Sequence, residues 1–261
     1  GLGQVWLDFV SPQHEFNPNP APAMLAQPES SANQAMAPLP KLPVTVDTVI
    51  FTVLAEALQV LLVKRGEERF VGLWSLPGGF VRPEEPLEEA AQRELDEATG
   101  VADVYLEQLY TFGEPRRDTR GRVISVAYVA LLDADRCPLK PHELEAEARW
   151  WPVESLPPLA FDHGAMIAVA LERVRTKLQY TTIASQLAGE SFTLSQLQSL
   201  YEHVLGRQLD KRNFRRKLKL AGLVEATGKS ESEGPGRPAE LYRFRELDFF
   251  QLREKGIHAP F

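Results

Sequence analysis

The stretch that decides the fold of this 261-residue chain runs from Gly78 to Val101 and reads GGFVRPEEPLEEAAQRELDEATGV. Its central part, LEEAAQRELDEAT, is rich in helix-forming residues and is followed by Gly100, which predicts a helix that ends at that glycine. On such a helix Glu94 and Glu97 are three residues apart and project from the same face. Clustered carboxylates repel one another, and a hard divalent cation such as Mg²⁺ relieves the repulsion through oxygen ligands. The stretch is therefore typical of a site that handles phosphates with the help of a cation.

Two further features of this stretch point to the same chemistry. Gly78 and Gly79 have no side chain, so the backbone there can come close to a ligand. Arg93 is expected to pair with Glu85 and to brace the loop against the helix. A surface helix with solvated Glu/Arg pairs is the alternative interpretation, and it accounts for the charges. It accounts neither for the glycine pair nor for the spacing.

The spacing of these residues resembles the Nudix box, in which glycine, glutamate, arginine and bulky aliphatic residues recur at set intervals. The matching positions are Gly79, Glu85, Arg93, Glu94, Leu95, Glu97, Gly100 and Val101. The resemblance implies the Nudix fold, an α/β/α sandwich with a mixed sheet. It also implies chemistry on nucleoside diphosphates, for which Glu94 and Glu97 are the residual catalytic candidates.

The chain departs from the Nudix box at Ala98, where active members of that family carry a glutamate that binds the metal. A methyl group has no lone pair, so Glu94 and Glu97 are the carboxylates left on this helix face. With water or phosphate oxygens they are expected to hold Mg²⁺ or Mn²⁺ only weakly. We therefore expect no required cofactor, and a pocket that binds a nucleoside diphosphate without cleaving it efficiently.

The chain divides into four segments. Residues 1–42 are rich in Pro, Ala, Ser and Asn and lack apolar periodicity, which predicts a disordered arm. Residues 43–178 alternate β-branched apolar runs with helical ones, as in an α/β domain, and a helix at 164–178 links this body to the tail. Residues 179–247 read as three short helices and a hairpin, and residues 248–261 follow as a C-terminal tail.

Several stretches of the body, among them LLVKRGEERFVGLWSLPGGFV, PRRDTRGRVISVAYVAL and LAFDH, resemble the Nudix branch that handles ADP-ribose. Guanidinium groups match phosphate oxygens with paired donors, although each arginine alone is also explained as a structural residue. The candidate ligand-binding residues are Arg65, Gly78, Gly79, Arg82, Arg116 and Arg117. We interpret Trp74 and Phe80 as core rather than as an adenine platform. Asp162 and His163 are interpreted as a helix cap and a buried histidine.

The stretch DKRNFRRKLKLAG predicts a helix with one apolar face, because Phe214, Leu218 and Ala221 recur at helical spacing. Cations occupy most other positions, and such a helix suits the major groove of DNA. The candidate DNA-contacting residues on it are Lys211, Arg212, Asn213, Arg215, Arg216 and Lys219. The hairpin with GPGRP at its tip makes this segment resemble a winged helix-turn-helix domain, and Arg237 is then a candidate for the minor groove. The alternative is a solvated basic face, or one that docks on the acidic body.

Charge and composition narrow the range of partners. The chain has a net charge of −7, but from Tyr180 to the end it has 13 Lys+Arg against 10 Asp+Glu. An acidic body with a mildly basic tail indicates different partners for the two. No apolar run approaches the roughly 20 residues of a membrane helix. Cys137 is the only cysteine, which fits a reducing cytoplasm.

A Nudix body joined to such a tail resembles the Nudix-related transcriptional regulators of NAD metabolism, the NrtR family. The resemblance implies a homodimeric bacterial repressor of NAD synthesis or salvage genes that reads a pseudo-palindromic operator in double-stranded DNA. It further implies that ADP-ribose in the Nudix pocket releases the operator, and chain order makes the helix at 164–178 the natural lever. Two alternatives stay open: a regulator that keeps ADP-ribose pyrophosphatase activity, and a Nudix hydrolase whose tail only makes protein contacts.

Overall fold

The computed structural model describes residues 41–66, 70–101, 104–133, 145–178, 183–232 and 238–245. Apart from residues 41 and 42, the arm expected at 1–42 lies outside these ranges. The tail expected at 248–261 and Arg237 also lie outside the described residues.

The first two strands form a hairpin. β1 (Val44–Leu54) and β2 (Ala57–Arg65) are β-branched and apolar, and they pair antiparallel. Ala55 and Glu56 join them with φ angles of 49° and 57°. Two successive positive φ angles give a turn whose twist matches that of the flanking strands.

The sheet of the body is mixed. β1 pairs in parallel with β6 (Ile124–Leu131), whereas the other pairings are antiparallel. The remaining strands of this sheet are β3 (Trp74–Ser75), β4 (Gly78–Phe80), β5 (Tyr105–Phe112) and β7 (Glu145–Pro152). Within the described residues the seven strands run in the order β3-β2-β1-β6-β5, with β4 also on β1 and β7 also on β2. The stretch GLWSLPGGF thus contains two very short strands.

Helices cover both faces of this sheet. Along β1, Ile50 belongs to the same buried apolar group as Leu95 of α1 (Leu87–Thr99). Its neighbour Phe51 points to the other side and belongs to the group that contains Met166 of α2 (His163–Leu178). Successive side chains of a strand face opposite ways, so the body is a three-layer sandwich, as expected. Among the described helices none is long and apolar enough to cross a membrane.

The tail has the order of elements of a winged helix domain. It comprises a 3₁₀ turn (Ile183–Gln186), β8 (Phe192–Thr193), α3 (Leu194–Leu205), α4 (Lys211–Ala221), β9 (Val224–Glu231) and β10 (Ala239–Phe244). The three strands form a second sheet in the order β8-β10-β9. Where the sequence predicts a first tail helix, the structure has only the 3₁₀ turn.

The ends of α3 and α4 follow from their capping residues. The Thr193 hydroxyl accepts from the backbone N–H of Gln196, whose side chain accepts from the N–H of Thr193, so the two residues form a capping box. The Asp210 carboxylate caps α4 by accepting from the N–H of Asn213. Both helices end at left-handed glycines, Gly206 and Gly222.

The body and the tail share one apolar interior. A single group of buried residues includes Phe51 of β1, Leu62 of β2, Leu178 of α2, Leu197 of α3 and Phe214 of α4. In addition, α3 contacts both β1 and β2. The winged helix domain is therefore packed directly on the sheet of the body.

Candidate functional site

A cavity of about 420 Å³ opens between residues 75–80, α1 and the start of α2. It is lined by five of the six predicted ligand-binding residues, namely Arg65, Gly78, Gly79, Arg82 and Arg117. The sixth, Arg116, is exposed and is not among the lining residues. Glu94, Glu97 and Ala98 reach the cavity from α1. The loop and the helix that the sequence singled out therefore meet at one site.

The two glycines make room for the protein itself. A Cβ on Gly79 would overlap the carboxylate of Glu94, and a Cβ on Gly78 would overlap the carbonyl oxygen of Val46. These glycines pair with Val46 and Asp47 of β1, which brings α1 and β1 close together at the cavity. The missing side chain of Gly79 thus leaves room for the Glu94 carboxylate, and both glycines line the cavity.

Arg93 braces the loop against the helix. Its Nη2 lies 2.8 Å from Oε1 of Glu85, and its Nε donates to Oε2 of the same carboxylate at 3.1 Å. The backbone N–H of Arg82 also donates to Glu85, at 2.7 Å. The hydrogen bonds from Arg93 and Arg82 lower the pKa of Glu85 to about 2, so Glu85 is ionised at neutral pH.

Arg93 also serves the two carboxylates of the cavity. Its Nη1 lies 2.6 Å from Oε1 of Glu94 and 3.6 Å from Oε1 of Glu97. The side chain of Glu94 is only 13% exposed. Burial raises the pKa of Glu94, although the hydrogen bond from Arg93 opposes that shift. The Arg93 guanidinium thus offsets part of the negative charge of these two carboxylates.

The residues at this position do not fit a tightly bound divalent cation. Ala98 is 2% exposed and packs in the apolar group of Leu95, so α1 offers a methyl group where a third carboxylate would stand beside Glu94 and Glu97. Within the part of the chain that the structure describes, no three acidic, histidine or cysteine residues are arranged to hold a metal ion. Hard cations require several oxygen ligands, so we derive no chemical step through a metal here.

A buried polar cluster lies at the start of α2. The backbone N–H of Leu76 donates to Nδ1 of His163 at 2.9 Å, so in the neutral ring the proton is on Nε2. That nitrogen lies 3.6 Å from Oδ1 of Asp47, whose other oxygen, Oδ2, accepts from the hydroxyls of Thr45 and Ser125. Burial lowers the pKa of His163, which keeps the ring neutral near pH 7. His163 is buried, as predicted, and it also lines the cavity.

The mouth of the cavity combines arginines with aromatic rings. Phe161 has a φ of 52°, and the guanidinium carbons of Arg65 and Arg120 lie 5.2 Å and 5.9 Å from its ring centre. Arg120 also lies 5.2 Å from the ring centre of Phe80 and pairs with buried Asp118 at 2.6 Å. Arg120, Asp118 and Phe161 are not among the site residues predicted from the sequence. The nearest signal in the sequence is the stretch PRRDTRGR, which predicts Arg116 and Arg117 instead.

The two aromatic residues interpreted as core differ in their burial. Trp74 is buried, as expected, but Phe80 is 49% exposed, so its interpretation as core is wrong. It lies at the end of a three-residue strand, where its ring packs under Arg120 rather than against apolar neighbours. Arg117 is only 4% exposed, and its guanidinium donates twice to Asp162, at 2.8 Å and 3.0 Å. The carboxylate of Asp162 therefore fixes Arg117 beside the first turn of α2.

The surface of α4 is cationic on the side that faces away from the core. Phe214 and Leu218 are buried, and Ala221 is half-buried against the same apolar group. Of the predicted DNA-contacting residues, Lys211, Arg212, Arg216 and Lys219 are exposed, whereas Asn213 and Arg215 are half-buried. Arg215 donates to the Ser195 hydroxyl at 3.3 Å, and Arg216 donates to the Asn213 amide oxygen at 2.9 Å. This arrangement suits a helix that packs on the domain with one side and meets phosphates with the other.

Both parts of the chain match known families. Residues 43–170 match the model of the NUDIX domain, and residues 184–244 match that of the NrtR DNA-binding winged helix domain. The chain is 39% identical over 209 residues to the ADPR responsive transcriptional repressor NtrR of Acinetobacter baylyi, covering 78% of this chain and 83% of that protein. The chain belongs to the NrtR family.

Solved structures agree with this NrtR assignment. The crystal structure of Shewanella oneidensis NrtR complexed with a 27mer DNA matches with a TM-score of 0.69 and 39% identity, over 77% of this chain and 93% of that one. The predicted order of a Nudix body followed by a winged helix domain is therefore confirmed. The present chain is also 40% identical over 109 residues to the ADP-ribose pyrophosphatase of Methanocaldococcus jannaschii, covering 42% of this chain and 63% of that protein.

Proposed function

We propose that this chain is a transcriptional repressor of genes for NAD synthesis or salvage. It binds operator DNA through the winged helix domain and releases the operator when ADP-ribose occupies the cavity. Its place of action is then the bacterial cytoplasm, where the operator lies. The observation that carries the proposal is the exposed cationic face of α4, in a chain that is similar to a named repressor over most of its length.

DNA binding is tested by titrating the full chain with an operator duplex at several salt concentrations. Each neutralised phosphate releases counterions, so the logarithm of the binding constant should fall linearly with the logarithm of salt concentration. An operator affinity that equals the affinity for random DNA would contradict the assignment as a repressor. No binding to any duplex would favour the alternative of a hydrolase whose tail makes only protein contacts.

ADP-ribose is proposed as the effector for two reasons. The A. baylyi repressor is described as ADPR responsive, and the M. jannaschii relative is an ADP-ribose pyrophosphatase. The cavity of about 420 Å³ has the size of a small-molecule site, and arginines line it. Calorimetric titration with ADP-ribose, with and without the operator duplex, tests both binding and release. A ligand can lower DNA affinity only if it binds the DNA-incompetent arrangement more tightly.

We further propose that the repressor acts as a homodimer on a pseudo-palindromic operator. A two-fold dimer presents two copies of α4, which fit half-sites separated by a whole number of helical turns. Sedimentation of the chain with duplexes of varied half-site spacing tests this. Two chains should bind each duplex, and affinity should fall when five base pairs, roughly half a helical turn, are inserted between the half-sites.

A regulator that also cleaves ADP-ribose to AMP and ribose 5-phosphate is the second candidate function. The pair Glu85–Arg93 and the cavity carboxylates Glu94 and Glu97 favour it, whereas Ala98 argues against it. Product formation from ADP-ribose with Mg²⁺ or Mn²⁺ distinguishes the two. Operator release that persists when no ADP-ribose is consumed supports sensing by binding alone.

A further inference from the structure

The helix α2 connects the cavity with the winged helix domain. At one end, Phe161 and His163 line the cavity, and Asp162 holds the cavity residue Arg117. Toward its other end, Val174 and Leu178 are buried in the interior that the body shares with α3 and α4. A change at the cavity can therefore reach the tail through one continuous helix.

Arg175 forms a polar contact from α2 to the tail. Its Nε donates to the carbonyl oxygen of Val204 at 2.9 Å. Val204 lies in the last turn of α3, where carbonyl groups have no partner within the helix and carry the negative end of the helix dipole. The helix ends at Gly206 with a φ of 67°, and a Cβ there would lie only 3.0 Å from Nη2 of Arg175. The end of α3 is thus shaped to accept this guanidinium.

The end of α3 that Arg175 holds also sets the start of α4. Oε1 of Glu202 accepts from the backbone N–H of Leu209 at 2.7 Å and from the side chain of Gln198 at 3.0 Å. Leu209 directly precedes the helix cap Asp210, so the turn between the helices is fixed to the last turn of α3. A movement of that last turn therefore moves the first turn of α4, which carries Arg212.

The other cations on this part of α2 bind the body instead. Arg173 and Lys177 both pair with Glu107 of β5, at 2.9 Å and 2.6 Å. These two contacts fix α2 to the sheet, whereas Arg175 points to the tail. The helix thus offers a residue for testing the tail contact and a neighbour for control.

We propose that Arg175 is the positioning residue that couples ADP-ribose binding in the cavity to the orientation of α4 on DNA. This inference rests on the proposed function and names a contact through which the regulation passes. The guanidinium ties the last turn of α3 to α2, so that α3 and the start of α4 follow any displacement of α2. Without the tie, α3 and α4 keep their fold but no longer follow α2.

The test compares coupling factors, defined as the operator dissociation constant with saturating ADP-ribose divided by the constant without it. Allosteric coupling typically spans about 5- to 150-fold, and we expect that range for the parent chain. In Arg175→Ala the factor should fall below about 2-fold, while ADP-ribose affinity in the absence of DNA stays within about twofold of the parent value. By reciprocity, the operator should also lose its effect on ADP-ribose affinity.

Two further variants make the test specific. Gly206→Ala places a methyl group against Arg175 and strains a left-handed position, so it should reduce the coupling factor as Arg175→Ala does. Arg173→Ala removes a cation of the same helix that contacts the body, and it should keep the parental factor. If Arg175→Ala does not fold at 25 °C by circular dichroism, Arg175→Lys, which lacks Nε, takes its place with the same expectation.

An Arg175 variant that folds and keeps the parental coupling factor overturns the inference. So does a loss in Arg173→Ala as large as the loss in Arg175→Ala, because the effect then belongs to α2 as a whole. A parent chain whose operator affinity does not respond to ADP-ribose contradicts the proposed function itself. That result is distinguishable, because it appears before any variant is made.

Discussion

Gly79 has no room for a side chain beside Glu94, because a Cβ there would overlap the Glu94 carboxylate. We expect Gly79→Ala to displace Glu94 and its partner Arg93, to lower the free energy of unfolding by about 1–3 kcal/mol, and to weaken ADP-ribose binding. Gly113→Ala is the matched control, since a Cβ on Gly113 meets nothing within 4 Å. Urea unfolding and calorimetry measure the two effects. Equal behaviour of the two variants would contradict the steric argument.

His163 should make stability depend on pH. Burial lowers its pKa in the folded chain below the ordinary value of 6.5, so below pH 6.5 the unfolded chain binds a proton that the folded chain does not. The free energy of unfolding therefore falls as pH falls from 6.5 toward the folded-state pKa, by at most about 1.4 kcal/mol per pH unit from this group. His163→Gln should remove this part of the slope, and urea unfolding between pH 7.5 and 5.5 measures the difference. Identical slopes would mean that His163 takes up its proton equally readily in the folded and the unfolded chain.

A substitution at Ala98 tests whether this cavity differs from a metal-binding site at one residue only. Ala98→Glu adds a carboxylate next to Glu94 and Glu97, and we expect tighter Mn²⁺ binding by calorimetry. Because the position is buried, the free energy of unfolding should fall by about 1–3 kcal/mol. Adding Glu97→Gln in the same chain should cancel the gain in Mn²⁺ affinity. No gain in the first variant would show that the cavity differs from a metal site at more than this position.

The site residues that could be predicted from the sequence are those that lie close to one another along the chain. Glu85, Arg93 and Glu94 belong to one loop and helix, so their spacing gives their geometry. Asp47 enters the cavity from β1, which pairs with β4, and Phe161 enters it from just before α2, far along the chain. No spacing rule links such residues.

At the scale of the element, α4 should separate base contacts from phosphate contacts. Arg212 lies in the first turn and is exposed, the place from which recognition helices reach base edges. We expect Arg212→Ala to cost about 1–3 kcal/mol on the operator and much less on random DNA. Lys219 lies near the other end, and Lys219→Ala should weaken both duplexes alike and reduce the salt slope by about 1. The reverse pattern would mean that α4 lies in the groove with its other end inward.

Helices whose starts are marked by their own capping residues could be predicted from the sequence. Short strands that form only because another strand pairs with them could not. Thr193 and Asp210 mark the starts of α3 and α4 by hydrogen bonds within a few residues, so the sequence reveals them. The strands β3 and β8 have two residues each, and they exist because β2 and β10 pair with them. Nothing in a two-residue stretch records that pairing.

For the whole molecule, the shared interior predicts one cooperative unfolding transition. Leu178 of α2 is fully buried between the sheet and the winged helix, so Leu178→Ala should cost about 2–5 kcal/mol in both parts at once. Tryptophan fluorescence mainly follows the body, where three of the four tryptophans lie, namely Trp74, Trp150 and Trp151, and hydrogen exchange of α4 amides follows the tail. Both should report the same loss. A tail that unfolds separately at lower denaturant would contradict a common interior.

The common interior also limits how such a regulator can diversify. A DNA-binding domain joined by a flexible linker can be replaced, during evolution or in biosensor design, without changes to the ligand-binding domain. Here, replacing the winged helix domain would expose the side chains of β1, β2 and α2 that α3 and α4 now cover. New DNA specificity is therefore expected to arise by substitution on the outer face of α4, while the two halves are inherited together.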